Sequence, residues 1–527
     1  GGPRSSEVVH SVRAGAAESL RRHFKSLAAA LVLLVGVLAL LWVFELQSAI
    51  SLVGVPLAGL VSGLCGWYGG KLTADAAART ACASRQSLND GLAVAYESGA
   101  VLGLNVVGVA LLDVSLWFLC LHALGDRLGI DSASGHGLPQ MTAVMLTFGI
   151  GASFHALVCR VGGGIFTTAA EVCRGVVCTA ESGSREDDPR PLAKGADPMG
   201  HTAGSVAGMG ADLYESFYGS ILASVALGAA AAFAMGDLGQ GAQVKIGLSL
   251  AAIPLVLAGF GILASLAGFM IVRLGGGSGS GGPLSSLGKG FAAATSIIAV
   301  AAFIVPWVLL ARDAGTRSML ASMDVQWWGF SMAIVAGLVA GLVVARGTAH
   351  GASHPKSSTR RLSMQALPGP AAGFIAAITE GLWTTWIPLV SVGATSVTAF
   401  LVCGGADRYA LGLYGIAIAS VGMLATVAFT LATHAFGRIA ALAVDGNELS
   451  GERAVISEPA RLIDTLETPV AARAKRLAIG SAALTALAFI GAYLQIVQTQ
   501  LHTQTVERAR AAYAEHVIPL EPGERLA

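Results

Sequence analysis

The sequence predicts an all-α fold, a polytopic bundle of about eleven membrane-spanning helices. Three observations carry that expectation. Of the 527 residues, 54% are hydrophobic and only 12% charged, with a mean hydropathy of +0.68, whereas an ordinary soluble domain carries roughly 25% charged residues. Apolar runs of about 20 residues, the length that crosses a bilayer as a helix, recur along the whole chain. The 68 glycines are dense inside several of these runs, as in "GLVSGLCGWYGG" (59–70) and "GSILASVALGAAAA" (219–232); small residues let helices pack closely where lipid supplies no hydrophobic drive between them. A net charge of +1 gives no basis for nucleic-acid binding, and the lipid bilayer is the first partner.

In order, the spans read as roughly 26–46, 49–72, 97–122, 141–162, 205–235, 243–273, 288–312, 326–346, 370–404, 408–436 and 475–497. They form a transmembrane bundle over 26–497, flanked by a basic segment (1–25) and a polar tail (498–527). Eight spans separate Arg13, Arg21, Arg22 and Lys25 from the basic connector 346–361. An even number puts both basic segments on one side of the membrane, as the bias of Lys and Arg toward one compartment requires. Pro388, following "EGLWTTWI", is expected to break the 370–404 segment. "GGGSGSGG" (275–282) reads as a flexible connector, and the tail as an extramembrane helix up to Pro519. The chain begins at Gly1 without Met, which a removed leader or a trimmed start would explain. The seven Cys show no pairing pattern. Cys65, Cys120, Cys159 and Cys403 fall in apolar segments as free thiols, and Cys173 and Cys178 lack the nearby His pair of a metal site.

Ionisable residues inside a span normally face the bundle interior. The candidates are Asp113, Arg160, Asp212, Glu215, Glu380, Arg408 and Lys475. Arg408 and Lys475 fit span ends whose side chains reach the headgroups. Asp212 lies a couple of turns inside its helix, Glu215 shares its face at i+3, and Arg160 is the expected partner of Asp212 if the two helices are neighbours.

"RVGGGI" (160–165), "EDDPR" (186–190) and "AGMGADLYES" (207–216) together give the chain a specific resemblance to the membrane-bound ion-translocating pyrophosphatases. It is supported by "YGIAIASVGMLATVAFTLATHAFGRIA" (414–440) and "AKRLAIGSAAL" (474–484). The resemblance implies a bundle whose inner helices present carboxylates and lysines to a magnesium–pyrophosphate complex, with hydrolysis coupled to H+ or Na+ transport. It also implies a homodimer and further helices beyond the span 475–497. It places Arg160, Asp212, Glu215 and Lys475 in the ion path and core polar network. At the family's substrate positions the chain departs from the pattern. Thr168 stands for a lysine, Gly175, His201 and Ser205 for acids, and His434, Ala441 and Leu442 for acid and amide groups, while Glu171, Glu181 and Asp197 remain. If two magnesium ions need about four to six protein oxygens, the set is too small. The expectation is therefore a catalytically inactive homologue, a pseudoenzyme acting as an accessory subunit of a larger membrane complex, with no metal and no cofactor. Glu171, Glu181, Asp197 and His201 would form a vestigial vestibule neutralised by Arg174 and Lys194. The alternatives are an active, divergent pyrophosphate-energised pump using magnesium, and a passive ion conductor through the Asp212 region.

Overall fold

The computed structural model describes residues 28–44, 48–84, 87–128, 137–182, 193–234, 240–275, 282–322, 325–351, 369–449 and 476–499, with a few single positions near the ends of these stretches. Over 162–182, 193–203, 282–285, 347–351 and 444–449 the backbone alone is described. The described residues are helical, without strands. Among the described residues, ten helices are long and apolar enough to cross a membrane, and a shorter apolar one precedes them. In chain order they are α1 (Ala28–Val43), α2 (Ser51–Ser84), α3 (Leu88–Leu124), α4 (Gly137–Ser182), α5 (Ala193–Phe233), α6 (Gln240–Gly275) and α7 (Gly282–Pro306), which ends in a π turn at Trp307–Ala311. There follow α8 (Ala314–Ser322, short and outside the spans), α9 (Trp327–Gly351), α10 (Pro370–Val402), α11 (Tyr409–Leu424), α12 (Val427–Leu449) and α13, whose described part is Arg476–Thr499.

The bundle has a centre and a rim. In α5 and in the α11–α12 pair, 94% of the most apolar stretch is buried, against 17% in α10. Helices α2, α3, α4, α6 and α11 pack around α5, and α12 lies along α3. On the rim, Phe374, Ile375, Leu382, Trp383 and Leu389 of α10 are exposed, as a lipid-facing helix requires. Close approach at the centre depends on missing side chains. A Cβ on Gly151 of α4 would run into the carbonyl of Val55 on α2, and one on Gly103 of α3 into the carbonyl of Ala428 on α12.

Proline shapes two helices differently from expectation. Pro388 lies inside one continuous helix, Pro370–Val402, so the expected break is corrected. A proline removes one hydrogen bond, and a membrane helix tolerates that because its remaining backbone bonds have no competitor in lipid. The 408–436 segment, read as one span, is one span, Tyr409–Ala443, interrupted by a turn at Ala425 and Thr426 that divides it into α11 and α12. Pro254 in α6 cannot donate to the carbonyl of Leu250, four residues back. The hydroxyl of Tyr414, fully buried on α11, donates to that carbonyl at 2.7 Å. At one rim, Asp313 caps the start of α8. Its Oδ2 accepts the backbone N–H of Thr316 at 3.0 Å, the Thr316 hydroxyl at 2.8 Å and Lys245 Nζ at 2.7 Å. Of the flanking segments, 1–24 and nearly all of 500–527 lie outside the described residues.

Two outcomes follow. Tyr414→Phe should lower thermal stability in detergent by about 1–3 kcal/mol, the cost of an unsatisfied buried carbonyl. Pro254→Ala, which restores an N–H for Leu250, should recover part of that loss in the double variant; no recovery would show that the hydroxyl acts elsewhere. The second concerns Asp313, held below the usual carboxylate range chiefly by the hydrogen bond from Lys245 and then by Thr316. A group whose folded value is depressed stabilises fully above its unfolded value, about 4, and loses that contribution as the pH falls through the folded one. Asp313→Ala should therefore lower the melting midpoint by a small, constant amount near neutrality, small because the group is exposed. The difference from wild type should shrink only in strong acid, and one that widens toward acid pH would contradict the assignment.

Candidate functional site

The site is built on α5, whose helical period sends polar side chains to three neighbours. Asp212 and Glu215, three apart, face α4; Tyr214 and Tyr218, four apart, face α3; Ser220 faces α13, where Thr485 also donates to the backbone carbonyl of Ser216. On the α4 side, Arg160 Nη2 meets Asp212 Oδ2 at 3.1 Å. The aspartate side chain is 12% exposed and the arginine 50%. Arg160 lies on the part of α4, and Asp212 on the part of α5, long and apolar enough to cross a membrane. One turn deeper, Ser153 donates to Glu215 Oε1 at 2.7 Å, and Ser216 reaches Oε2 at 3.4 Å. Behind Arg160 on α4, His155 Nδ1 meets Ser62 of α2 at 2.9 Å, and the Cys159 thiol lies 3.4 Å from His155 Nε2. On the α3 side, the Tyr214 hydroxyl donates to Asp113 Oδ2 at 2.6 Å. On the α13 side, Ser220 and Thr485 share a hydrogen bond of 2.7 Å.

The expected Arg160–Asp212 pair is formed, and Glu215 lies beside it through Ser153. Lys475, one residue before the described start of α13, lies outside the described residues. Glu171 and Glu181, with Thr168, Arg174 and Gly175, lie on α4 past Val161, and Asp197, His201 and Lys194 lie on α5 before Gly204. Their backbone is helical, and their side chains lie outside the described residues, so the expected vestibule and its neutralising cations do too. Ser205 is half-buried on α5. Ser153, Ser62, His155, Tyr214 and Tyr218 went unnoticed in the sequence. The tyrosine pair had a signal, two polar-tipped rings at i and i+4 on the helix richest in buried small residues. The serines had none, because a serine in a membrane helix usually bonds its own backbone. Among the described residues no three His, Cys, Asp or Glu side chains gather closely enough to hold a metal ion.

The family described as inorganic H+ pyrophosphatase matches residues 1–514. Among curated relatives, a Bacteroides thetaiotaomicron protein named "Putative K(+)-stimulated pyrophosphate-energized sodium pump" is 39% identical over 95% of this chain and 66% of its own length. A Moorella thermoacetica protein named "K(+)-insensitive pyrophosphate-energized proton pump 2" is 31% identical over 95% of this chain and 68% of its own length. The chain thus spans about two thirds of the length of the curated relatives it matches.

These findings correct the expectation of an inactive accessory subunit. The relatives are named as pyrophosphate-energised pumps, and nothing in the described structure shows the site of this chain to be inactive. A small set of protein carboxylates does not by itself imply loss of activity, because magnesium keeps several of its own waters and is commonly held by one or two carboxylates together with substrate phosphate oxygens.

The exposure of the central pair predicts an asymmetry. Arg160→Leu leaves a nearly buried carboxylate without its cation, and should cost toward the low end of the roughly 3–5 kcal/mol seen when a buried pair is broken. Asp212→Asn leaves an arginine half in contact with solvent, and should cost about 1 kcal/mol or less. Thermal unfolding of both variants in detergent near neutral pH checks the order; the reverse order would mean that the arginine is the more deeply committed partner.

Proposed function

The chain belongs to the inorganic H+ pyrophosphatase family, and we propose that it works in a pyrophosphate-energised cation pump. The observation that supports this reading is the position of the Arg160–Asp212 pair. It ties together α4 and α5, the two helices whose further course carries Glu171, Glu181, Asp197 and His201. Chemistry at those residues would act on the two helices whose side chains hold that pair closed.

Magnesium is the metal that pyrophosphate chemistry implies. Glu171, Glu181 and Asp197 are carboxylates of the hard-oxygen type it takes, and bound there it would neutralise charge on the phosphate oxygens. The residues of the core have a different task. With the pair closed, the guanidinium of Arg160 occupies the carboxylate that a passing cation needs. When α4 and α5 shift against each other, Asp212 is freed as a transient ligand. Glu215, one turn further into the bundle, is the next carboxylate on the same face, kept in place by Ser153 and Ser216. Two acidic groups one turn apart, gated by one arginine, form a short relay for a monovalent cation.

The test is phosphate release and ion uptake by the chain reconstituted in liposomes with magnesium and pyrophosphate, with and without K+ and Na+. The expected result is phosphate release that saturates with pyrophosphate, together with uptake of H+ or Na+. Asp212→Asn should cut uptake about tenfold or more while phosphate release falls less. Phosphate release at the level of empty liposomes under all four salt conditions would overturn the proposal.

A further inference from the structure

On the face of α5 turned away from Arg160 lies a carboxyl group that the relay does not use. Asp113 on α3 is 8% exposed, inside a helix whose neighbouring residues are mostly apolar. Tyr214 donates to its Oδ2 at 2.6 Å. Tyr218 stacks on Tyr214 with ring centroids 5.4 Å apart. Its hydroxyl lies against the same carboxyl, fully buried and without a partner in good hydrogen-bond geometry. From α2, the buried thiol of Cys65 completes the surroundings. Among the described residues, these are the titratable groups shown to interact with Asp113. Among the described residues, no lysine, arginine or histidine of α2, α4, α5, α6, α7 or α12 forms an ion pair with it.

A carboxylate buried in a membrane bundle without a cation is costly, so its charge has to be balanced by something from solution. A metal ion does not fit. One carboxylate and two phenol hydroxyls offer too few oxygens for a hard divalent ion, and no metal-ligand cluster forms among the described residues. The ligand that fits is the smallest. We propose that Asp113, with Tyr214 and Tyr218, is a proton-binding site: the carboxyl takes a proton from water and holds it as the carboxylic acid, one O–H bond forming and no other bond changing. Tyr214 is two residues from Asp212 on the same helix. A rotation of α5 that opens the Arg160–Asp212 pair therefore also pulls on the Tyr214–Asp113 bond, and the two sites change state together. The proton site itself needs no pyrophosphate turnover and does not depend on the pump reading.

Infrared spectra of the purified chain in lipid vesicles at neutral pH test it, without substrate. Subtracting Asp113→Asn from wild type should leave one carboxylic-acid carbonyl band, which shifts in heavy water. Spectra that coincide in that region, from samples of equal helix content, would show the carboxyl ionised and overturn the proposal. If Asp113→Asn does not fold, Tyr214→Phe replaces it. Loss of the donated hydrogen bond should move the carboxylic-acid band to higher frequency, and a band that stays in place would overturn the proposal equally.

Discussion

A bilayer interior offers no partner to a carbonyl, hydroxyl or carboxylate, so such groups in this bundle turn to their own helix or to a neighbouring one. The structure depends on that constraint, and α5 meets it on three sides. Its acidic side chains are answered by Arg160 and Ser153 of α4, Tyr214 by Asp113 of α3, and Ser220 by Thr485 of α13. Each bond is ordinary in strength, because in the membrane the competing state also finds partners. Together they fix the rotation of α5 about its axis, which apolar packing between smooth, small side chains would leave loosely determined.

Backbone atoms are held to the same rule. The carbonyl of Leu250 loses its donor to Pro254 and is answered by Tyr414 from a helix more than 160 residues away in sequence. The approach that makes this possible comes from glycine. Gly151 sits against the carbonyl of Val55 and Gly103 against that of Ala428, positions where a methyl group has no room. Small residues bring the helices together, and the few polar side chains then specify how they face one another.

The central pair links this scaffold to function. Arg160 and Asp212 join α4 to α5, the two helices that also carry Glu171, Glu181, Asp197 and His201. Substitutions such as Thr168 and His201 do not by themselves imply a lost site, because water and phosphate oxygens supply many of the ligands around magnesium. Identity of 39% over nearly the whole chain with a protein named as a pyrophosphate-energised pump weighs against reading those substitutions as loss of activity.

Much was legible in the sequence because a membrane helix advertises itself locally. A span needs about 20 apolar residues in a row, and the expected segments follow in order the ten spans and the shorter apolar helix that precedes them among the described residues. The Arg160–Asp212 pair was legible too, since a lone charge of either sign is so costly in the membrane that two on neighbouring spans seek each other. What only the tertiary structure decided are the relations between distant segments. The Tyr414–Leu250 bond, the buried Asp113–Tyr214 contact, the continuity of α10 through Pro388 and the break at Ala425 and Thr426 belong to this group. Hydropathy records whether a residue prefers lipid to water; it does not record the angle at which two helices cross, and that angle determines which hydroxyl meets which carboxyl.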